Sequence, residues 1–463
     1  MGKLESSAPA YEVGELFCGA GGLSRGFHEQ GFVPRFANDI WALAVHNFMM
    51  NFDRKYARSG GKSADIMGLP VSVEDIRPDE VLSKLPSSRH SGSVKHGEFD
   101  VLLGGPPCQG FSVNSHTRSA SDPRNFLFRH YVRILGAVAP KIFVLENVPG
   151  MLSLEGGRFF DELISEIGRL NINEYGGYDI RFKILNAAHY GVPQERFRIV
   201  VVGTRRDVVD QVGHVELPEP VHYSLAAAHF KGGRAHTFHY AIGHGKTQPG
   251  LFNAIARDGL TPPMSVGEAI GDLPALQNGG GDESPVPYAK SSGLTPFQRR
   301  MRISSKAVLN HWARALFPPN TERVKHIPEG GDWRDIPHAL LPPGMQRALR
   351  KDHTTRYGRL SRHQLSGTLL TKPDPHWGTF IHYDTAQQRL ITVREAARIQ
   401  SFPDVHTFYG GQVDQYRLCG NAVPPLLAEA VAVSVKSILD QFHAQRARTA
   451  KTKRIQMTTA LSV

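Results

Sequence analysis

The chain has 463 residues, of which 40% are hydrophobic, 9% aromatic and 21% charged, and this composition excludes a disordered, collagen-like or coiled-coil protein. The length predicts two domains, or one large domain that carries an insertion. The formal net charge of +11 fits a polyanionic partner such as nucleic acid, and it fits a basic surface without such a partner equally well.

Cysteine and histidine usage narrows the class of protein further. Cys18, Cys108 and Cys419 are too few and too scattered for a disulfide framework or a cysteine-rich zinc site, so we expect a reducing, intracellular compartment. Six histidines lie between His214 and His244, but their irregular spacing favours surface histidines over a metal site. No apolar run approaches the ~18 residues that span a bilayer, so we expect no membrane association.

Short apolar runs, each followed by a Gly or Asp turn and a helix-like stretch, recur through the first 205 residues, a pattern typical of an α/β domain. In chain order, the predicted strands are Tyr11–Phe17, Arg35–Asn38, Asp100–Leu103, Ile142–Glu146 and Phe197–Val202. The last three are dense in Val, Ile, Leu and Phe, as strands covered on both faces are. We therefore expect functional groups beyond the carboxyl ends of the strands.

A glycine-rich turn, Phe17–Leu23, follows the first predicted strand. Its glycines allow close approach to a ligand, and the N-terminus of the next helix adds partial positive charge. Asp39 lies 20 residues after Gly19, where a carboxylate can accept both ribose hydroxyls. Asp75 and Ile76 offer an acceptor and an apolar face to an adenine. A plain turn and ordinary strand-end caps explain the same residues, so this loop alone indicates only a nucleotide-like cofactor.

The loop 104–112 reads Gly-Gly-Pro-Pro-Cys-Gln-Gly-Phe-Ser. Because prolines fix the backbone and glycines allow a tight turn, Cys108 is presented at a strand end, which favours a nucleophile over an inert thiol. Glu146 ends the next strand at the same sheet edge, where burial would raise its pKa toward a proton-donor role. Alternation places Arg196 and Arg198 on one face, able to favour a thiolate or hold a carbonyl oxygen. The alternatives are a solvated strand end and an exposed basic edge.

The composition and the periodicity of the sequence change after residue 205. Region 206–355 is rich in paired prolines and glycines and has few periodic runs, which predicts a separate, loop-rich domain. The α/β texture returns near Arg356, and Leu426–Phe442 has helical periodicity. The predicted organisation is an N-terminal tail at 1–11, an α/β domain at 12–205, an inserted domain at 206–355, a return segment at 356–442 and a basic tail at 443–463.

Several of these segments occur together in one known family. The chain resembles the DNA (cytosine-5)-methyltransferases of bacterial restriction-modification type in its Phe-x-Gly-x-Gly-Gly loop, Pro-Pro-Cys-Gln-Gly-Phe-Ser, Glu-Asn-Val, Gln-x-Arg-x-Arg and, at 420–425, Gly-Asn-Ala-Val-Pro-Pro. Their order and spacing match the family over about 12–205 and 356–442. The resemblance implies an α/β, Rossmann-like catalytic domain of the S-adenosylmethionine-dependent methyltransferases, with a smaller inserted, loop-rich target-recognition domain at 206–355.

The resemblance also implies the cofactor and its pocket. The cofactor would be S-adenosyl-L-methionine, converted to S-adenosyl-L-homocysteine, with no metal. Ile40 departs from the bulky aromatic residue often found at its position, which predicts weaker stacking on adenine, and Cys18 is expected only to pack. The implied pocket residues are Phe17, Gly19, Gly21, Gly22, Asp39, Ile40, Asp75, Ile76, Pro107, Leu127, Asn421, Ala422 and Val423.

The resemblance implies a separate role in the reaction for each catalytic residue. The Cys108 thiolate would add to carbon 6 of cytosine, while Glu146 would hydrogen-bond ring nitrogen 3 in a protonated or proton-sharing state. Arg198 would hold the carbonyl oxygen at position 2, and Arg196 would stabilise the thiolate and its loop. Carbon 5 then takes the methyl group and loses its proton as Cys108 departs. A stacked base is out of reach, so the cytosine must be flipped out of the duplex.

The implied substrate is a specific sequence in double-stranded DNA, and two other readings are weighed against it. Methylation of RNA such as tRNA by the same site is disfavoured by the size of region 206–355, and a DNA-binding regulator with a vestigial site is disfavoured by the complete catalytic set. We expect a monomer that is cytoplasmic and nucleoid-associated, with a cognate restriction endonuclease acting separately.

The charge is expected to concentrate in two segments. Lys290–Lys351 holds 12 Lys/Arg against 4 Asp/Glu, a net charge of +8, and the residues from 441 to 463 add +5. These counts predict a nearly neutral catalytic body, a basic recognition segment and a flexible basic tail, and therefore salt-sensitive DNA binding.

Overall fold

The computed structural model describes residues 11–85, 95–107, 126–152, 154–172, 175–223, 260–289, 291–348, 356–371 and 380–460. Within these residues one sheet has the strand order β3-β2-β1-β4-β5-β7-β6. The sheet is parallel from β3 to β5, and β7 runs antiparallel to both β5 and β6. The strands are β1 (Glu12–Leu16), β2 (Val33–Asn38), β3 (Met67–Leu69), β4 (Val101–Gly104), β5 (Ile142–Asn147), β6 (Tyr178–Asn186) and β7 (Phe197–Arg205).

Helices cover both faces of this sheet. One face packs against α4, α5 and α6, and the other against α1, α7 and α13, which explains why the central strands are apolar at almost every position. The helices of the described residues are α1 (Gly22–Glu29), α2 (Ala42–Phe52), α3 (Arg54–Arg58), α4 (Pro78–Lys84), α5 (Leu127–Val138), α6 (Arg158–Gly168), α7 (Arg206–Val212), α8 (Val266–Ile270), α9 (Pro296–Met301), α10 (Pro318–Lys325), α11 (Val393–Ile399), α12 (Gln412–Asn421) and α13 (Pro425–Ala460).

The α/β class predicted from the sequence is confirmed, and each predicted strand coincides with an observed one. The sequence missed β3 and β6. Strand β3 has only three residues, too few to show a periodic pattern. Strand β6 lies at the sheet edge with exposed residues at its centre, and its charged residues there obscure the apolar signal that marks a covered strand.

Part of region 206–355 belongs to the same body as the sheet. Helix α7 directly follows β7, and its Val208 packs in the core beside Val215 and Leu217. Farther along, α8 and α9 contribute side chains such as Ile270 and Met301 to a third core shared with α11 and α12. Residues 206–217 thus continue the α/β body, and 266–308 pack against the return segment.

Helix α13 is longer than the sequence predicted. The sequence placed its end at Phe442 and a flexible tail beyond, whereas the helix runs to Ala460, because the added residues include many good helix formers and no Gly or Pro. One window within Gln412–Met457 is long and apolar enough to cross a membrane, and 61% of that window is buried. Its apolar side chains, such as Leu427 and Val435, pack on the sheet, which accounts for the composition.

Candidate active site

Glu146 lies at the carboxyl end of β5, only 9% exposed. Its Oε1 is 2.5 Å from Nε of Arg198 on the neighbouring strand β7. Burial raises the pKa of Glu146, and the positive charges of Arg198 and Arg196 oppose that rise. A raised pKa beside a guanidinium gives a carboxyl group that can carry a proton while one of its oxygens is held in place.

The chain that leads to Cys108 lies against this carboxyl group. A Cβ placed on Gly105 would lie 3.3 Å from Oε2 of Glu146, and Asn147 donates from Nδ2 to the carbonyl of Pro106 at 3.2 Å. The predicted pocket residue Pro107 is half-buried at the end of this stretch. Cys108 itself lies outside the described residues, with the rest of its loop to residue 125.

Arg196 binds the return segment. Its buried guanidinium donates to the carbonyl of Gly420 at 2.8 Å and to that of Leu369 at 3.4 Å. Next to it, Gln194 accepts the backbone N–H of Leu369 through Oε1 and donates to Gln400 through Nε2. Arg196 therefore fastens β7 to the return segment, and its charge still reaches Glu146.

The glycine-rich turn leaves β1 with an unusual backbone. Phe17, Gly19 and Gly21 all have positive φ angles, 59°, 51° and 75°. A Cβ on Gly21 would lie 2.6 Å from the ring of Phe52, so only glycine fits there. Among the described residues, none lies within 4 Å of a Cβ on Gly19, so this side of the turn is open to a ligand with respect to them.

Asp39 closes the turn from the end of β2. Its Oδ2 accepts the backbone N–H of Gly19 at 3.0 Å, and its Oδ1 accepts that of Trp41 at 2.9 Å. Burial raises the pKa of Asp39, opposed by these two hydrogen bonds and by the charge of Arg417. Between these residues Ile40 is 75% exposed and offers an apolar side chain beside the carboxylate.

Sequence reasoning missed Trp41 and Arg417. The Arg417 guanidinium lies 4.6 Å from the centre of the Trp41 ring, a cation–π contact that joins α12 to the end of β2. Trp41 directly follows the predicted pocket residues Asp39 and Ile40, so an aromatic residue beside them was the available signal. No local pattern pointed to Arg417.

The predicted adenine residues are held by α5. Arg133 donates to the carbonyls of Ile76 at 2.9 Å and of Val73 at 3.0 Å, which fixes the segment beside the helix that begins at Leu127. Asp75 is exposed, Ile76 is buried and Leu127 is half-buried. Asp75 therefore presents its carboxylate at the surface, while Ile76 contributes to the core.

The return segment closes on the glycine-rich turn. A Cβ on Gly22 would lie 2.2 Å from the carbonyl oxygen of Val423 and 3.2 Å from Cβ of Ala422. Asn421 is exposed at the end of α12. This contact between distant segments explains why position 22 requires glycine.

Glu15 is a buried carboxyl group that sequence reasoning overlooked. It lies on β1, 3% exposed, and its Oε2 accepts the backbone N–H of Ser24 at 3.1 Å. Burial raises the pKa of Glu15 to about 8. An acidic residue inside an apolar strand was the signal. Cys18 and Cys419 are buried as well, and burial raises the pKa of both thiols, which favours a packing role.

Carboxylate oxygens and apolar side chains lie beside the glycine-rich turn. The open space at Gly19, the Asp39 carboxylate and the exposed Ile40 side chain fit a ribose-bearing, aromatic cofactor. Among the described residues, no group of three or more His, Cys, Asp or Glu side chains could hold a metal ion. Of the histidine cluster, His214 and His222 are described, and the other members lie outside the described residues.

Two basic residues of the predicted recognition segment 290–351, Arg300 and Arg302, have acidic partners outside that segment. Arg302 pairs with the buried Asp272 at 2.6 Å, and Arg300 pairs with Glu429 of α13. Trp333 is also buried, 4% exposed. These side chains hold the structure together, so the segment presents less positive charge than its composition suggests.

Comparisons with known proteins agree with this geometry. A family model described as C-5 cytosine-specific DNA methylase matches residues 11–437. Type II methyltransferase M1.HphI of Haemophilus parahaemolyticus is 31% identical over 423 residues, which cover 91% of this chain and 85% of that protein. Type II methyltransferase M.AgeI of Thalassovita gelatinovora is 29% identical over 475 residues, covering 91% and 98%.

A plant protein and a solved structure extend the comparison. DNA (cytosine-5)-methyltransferase 2 of Arabidopsis thaliana is 30% identical over 92% of this chain, but only 28% of that longer protein is covered. A crystal structure from E. coli, described as a DNA modification methyltransferase encoded within a prophage, superposes with a TM-score of 0.62 at 20% identity, covering 93% of this chain and all of that one. At that identity the superposition supports the fold.

Proposed function

Because the chain belongs to the C-5 cytosine-specific DNA methylase family, we propose that it methylates carbon 5 of a flipped-out cytosine within a specific sequence of duplex DNA. One observation supports the site: the buried Glu146 carboxyl group, paired with Arg198, lies against Gly105, three residues before Cys108. A nucleophile, a proton carrier and a cation would thus meet at one edge of the sheet.

In this proposal each side chain acts on one atom of the base. The thiolate of Cys108 bonds to carbon 6, and protonated Glu146 donates to ring nitrogen 3, which offsets the negative charge that develops in the ring. Arg198 donates to the oxygen at position 2 and keeps Glu146 oriented. After carbon 5 is methylated, its proton leaves and the bond to Cys108 breaks.

Arg196 has a positioning role in the proposal. Because its guanidinium binds the carbonyls of Leu369 and Gly420, it holds the return segment, including Asn421, beside the glycine-rich turn. The support it was expected to give the thiolate would then be electrostatic and indirect.

We assign S-adenosyl-L-methionine to the turn, where it supplies the methyl group. Asp39 would accept the ribose hydroxyls, Ile40 would cover one adenine face, and Asp75 would accept from the adenine amino group. The remaining contacts of the proposed pocket come from Phe17, Gly19, Gly21, Gly22, Ile76, Pro107, Leu127, Asn421, Ala422 and Val423.

The target-recognition domain within 206–355 would read the DNA sequence, and the RNA alternative is disfavoured because the similar proteins M1.HphI and M.AgeI are named Type II methyltransferases. We place the enzyme in the cytoplasm on nucleoid DNA, as a monomer, with any cognate restriction endonuclease acting separately.

The decisive experiment is bisulfite sequencing of DNA from cells that express the protein. Wild type should leave 5-methylcytosine in one sequence context. Cys108→Ser should abolish methylation and retain cofactor binding in equilibrium dialysis. Glu146→Gln should lower the rate by about 10²–10⁴-fold, the usual contribution of a general acid.

A matched control uses the buried thiol at position 18. Cys18→Ala should stay active, because burial keeps that thiol protonated and away from chemistry. Full activity of Cys108→Ser, or parallel assays in which tRNA but not duplex DNA is methylated, would contradict the proposal.

A further inference from the structure

Helix α13 crosses the molecule from the catalytic edge of the sheet to the opposite edge. It begins beside the glycine-rich turn, where the backbone N of Glu429 is within 2.4 Å of a Cβ built on Gly26. Near residue 440 it reaches the start of the strands: Tyr11, which precedes β1, donates to Asp440 at 2.6 Å. The Nε2 of His443 lies 3.9 Å from Oδ1 of Asp100, which precedes β4. The helix therefore leaves the body at the edge away from Glu146.

Beyond this point lies the basic helix end, residues 444–460. Its 17 residues extend about 25 Å at the usual helical rise of 1.5 Å per residue. It contains five basic residues and no Asp or Glu, and its described side chains are exposed. The basic residues are Arg446, Arg448, Lys451, Lys453 and Arg454.

The basic helix end lacks what a protein-packing helix needs. A helix that packs on protein carries an apolar stripe along one side, whereas Ile455 and Met457 are the large apolar residues here and are 57% and 68% exposed. Five like charges within nine residues repel each other, and a polyanion relieves that repulsion. Duplex DNA carries one charge per ~1.7 Å of axis, so the stretch 446–454, about 12 Å long at 1.5 Å per residue, can lie close to several phosphates.

We propose that the basic helix end binds a second segment of duplex DNA, on the side of the molecule opposite the catalytic edge. The enzyme then holds two duplex segments at once, one at the site and one at α13, and can pass between segments of the same chromosome without full release. The identity of the first segment as DNA rests on the proposed function; the position of the second site rests on the course of α13.

A bridging assay tests this directly. A biotinylated 30-base-pair duplex of random sequence is immobilised, the full-length protein is added, and capture of a second, fluorescent duplex of the same kind is measured. Wild type should capture the second duplex. The variant with Arg446→Gln, Arg448→Gln, Lys451→Gln, Lys453→Gln and Arg454→Gln should bind the first duplex and lose capture of the second by at least tenfold.

A salt titration on a duplex of about 200 base pairs gives a second readout. Because each neutralised phosphate contributes about 0.9 to the slope of log K against log salt, the slope should become shallower by up to about 4.5 in the five-fold variant. Lys62→Gln with Arg169→Gln, exposed residues of the body, is the control and should bridge normally. Circular dichroism should show that the helix persists.

The outcomes separate this inference from the proposed function. If wild type binds no duplex at all, the proposed function fails. If wild type binds one duplex but captures no second, or if the five-fold variant bridges as well as wild type, the inference is overturned. Bridging that coincides with dimers in sedimentation, lost together with them in the variant, would also overturn it by assigning the basic helix end to a second copy of the chain.

Discussion

Glu15 offers a quantitative test of the carboxyl cluster beneath the glycine-rich turn. Burial raises its pKa from 4.5 to about 8, and the nearby charges of Asp39 and Glu146 add to the rise, while hydrogen bonds from Ser24 oppose it. The folded protein thus binds the Glu15 proton more tightly than the unfolded chain does. The contribution to stability is fully present below about pH 4.5 and is lost as pH rises toward 8.

The size of this effect follows from the pKa change. At 1.36 kcal/mol per pKa unit, a rise from 4.5 to about 8 corresponds to about 5 kcal/mol of unfolding free energy. Glu15→Gln keeps an oxygen that can accept the N–H of Ser24 and removes the titration. We therefore expect the variant to be close to wild type at pH 5 and more stable than wild type at pH 9 by up to about 5 kcal/mol.

Urea unfolding of both proteins at one-unit steps from pH 5 to pH 9, at constant ionic strength, measures this difference. Glu283→Gln is the matched control because Glu283 is exposed, and its difference from wild type should stay within about 0.5 kcal/mol at every pH. A difference between Glu15→Gln and wild type that is the same at pH 5 and pH 9 would refute the reasoning.

Two further substitutions test how the return segment is held. Gly22→Ala places a Cβ 2.2 Å from the Val423 carbonyl oxygen, so it should cost about 1–3 kcal/mol of stability and weaken S-adenosylhomocysteine binding in equilibrium dialysis. Gly168→Ala is the control and should bind normally, because no described residue lies within 4 Å of the added Cβ. Equal affinities of the two variants would contradict the role of the contact at Gly22. Two nitrogens of the buried Arg398 contact the Asp404 carboxylate at 2.5 and 2.6 Å. Because Asp404→Asn removes this negative charge, it should lower the free energy of unfolding in urea by about 3–5 kcal/mol. A decrease under 1 kcal/mol would show that the ion pair is not needed for stability.

The sequence predicted those parts of the site whose signal is local. Glu146 and Asp39 each end an apolar strand, and parallel strands bring their carboxyl ends to one edge, so their placement follows from strand prediction alone. Gly22 was predicted from its turn, and the motif at 420–425 connected the return segment to it. Each of these depends on residues adjacent in the chain.

Other parts of the site depend on contacts between distant segments, which leave no local pattern. Alternation placed Arg196, the residue before β7, on the same face as Arg198, and it gave no sign that the Arg196 guanidinium binds the carbonyls of Leu369 and Gly420. The pairing of Trp41 with Arg417 spans most of the chain. The positions of these side chains depend on their length and on the groups that another segment offers them. Periodicity in the sequence predicts neither.

The distribution of exposed charge also depends on contacts between distant segments and affects how DNA binding responds to salt. Composition assigned +8 to Lys290–Lys351, but Arg302 and Arg300 pair with Asp272 and Glu429, which lie outside that segment. Charges neutralised within the protein release few counterions when DNA binds, because they release them when the chain folds. The basic helix end has no acidic residue of its own, and its exposed Arg446, Arg448 and Lys451 side chains are available to phosphates. The salt dependence of DNA binding should therefore depend more on residues 444–460 than their share of the total charge suggests.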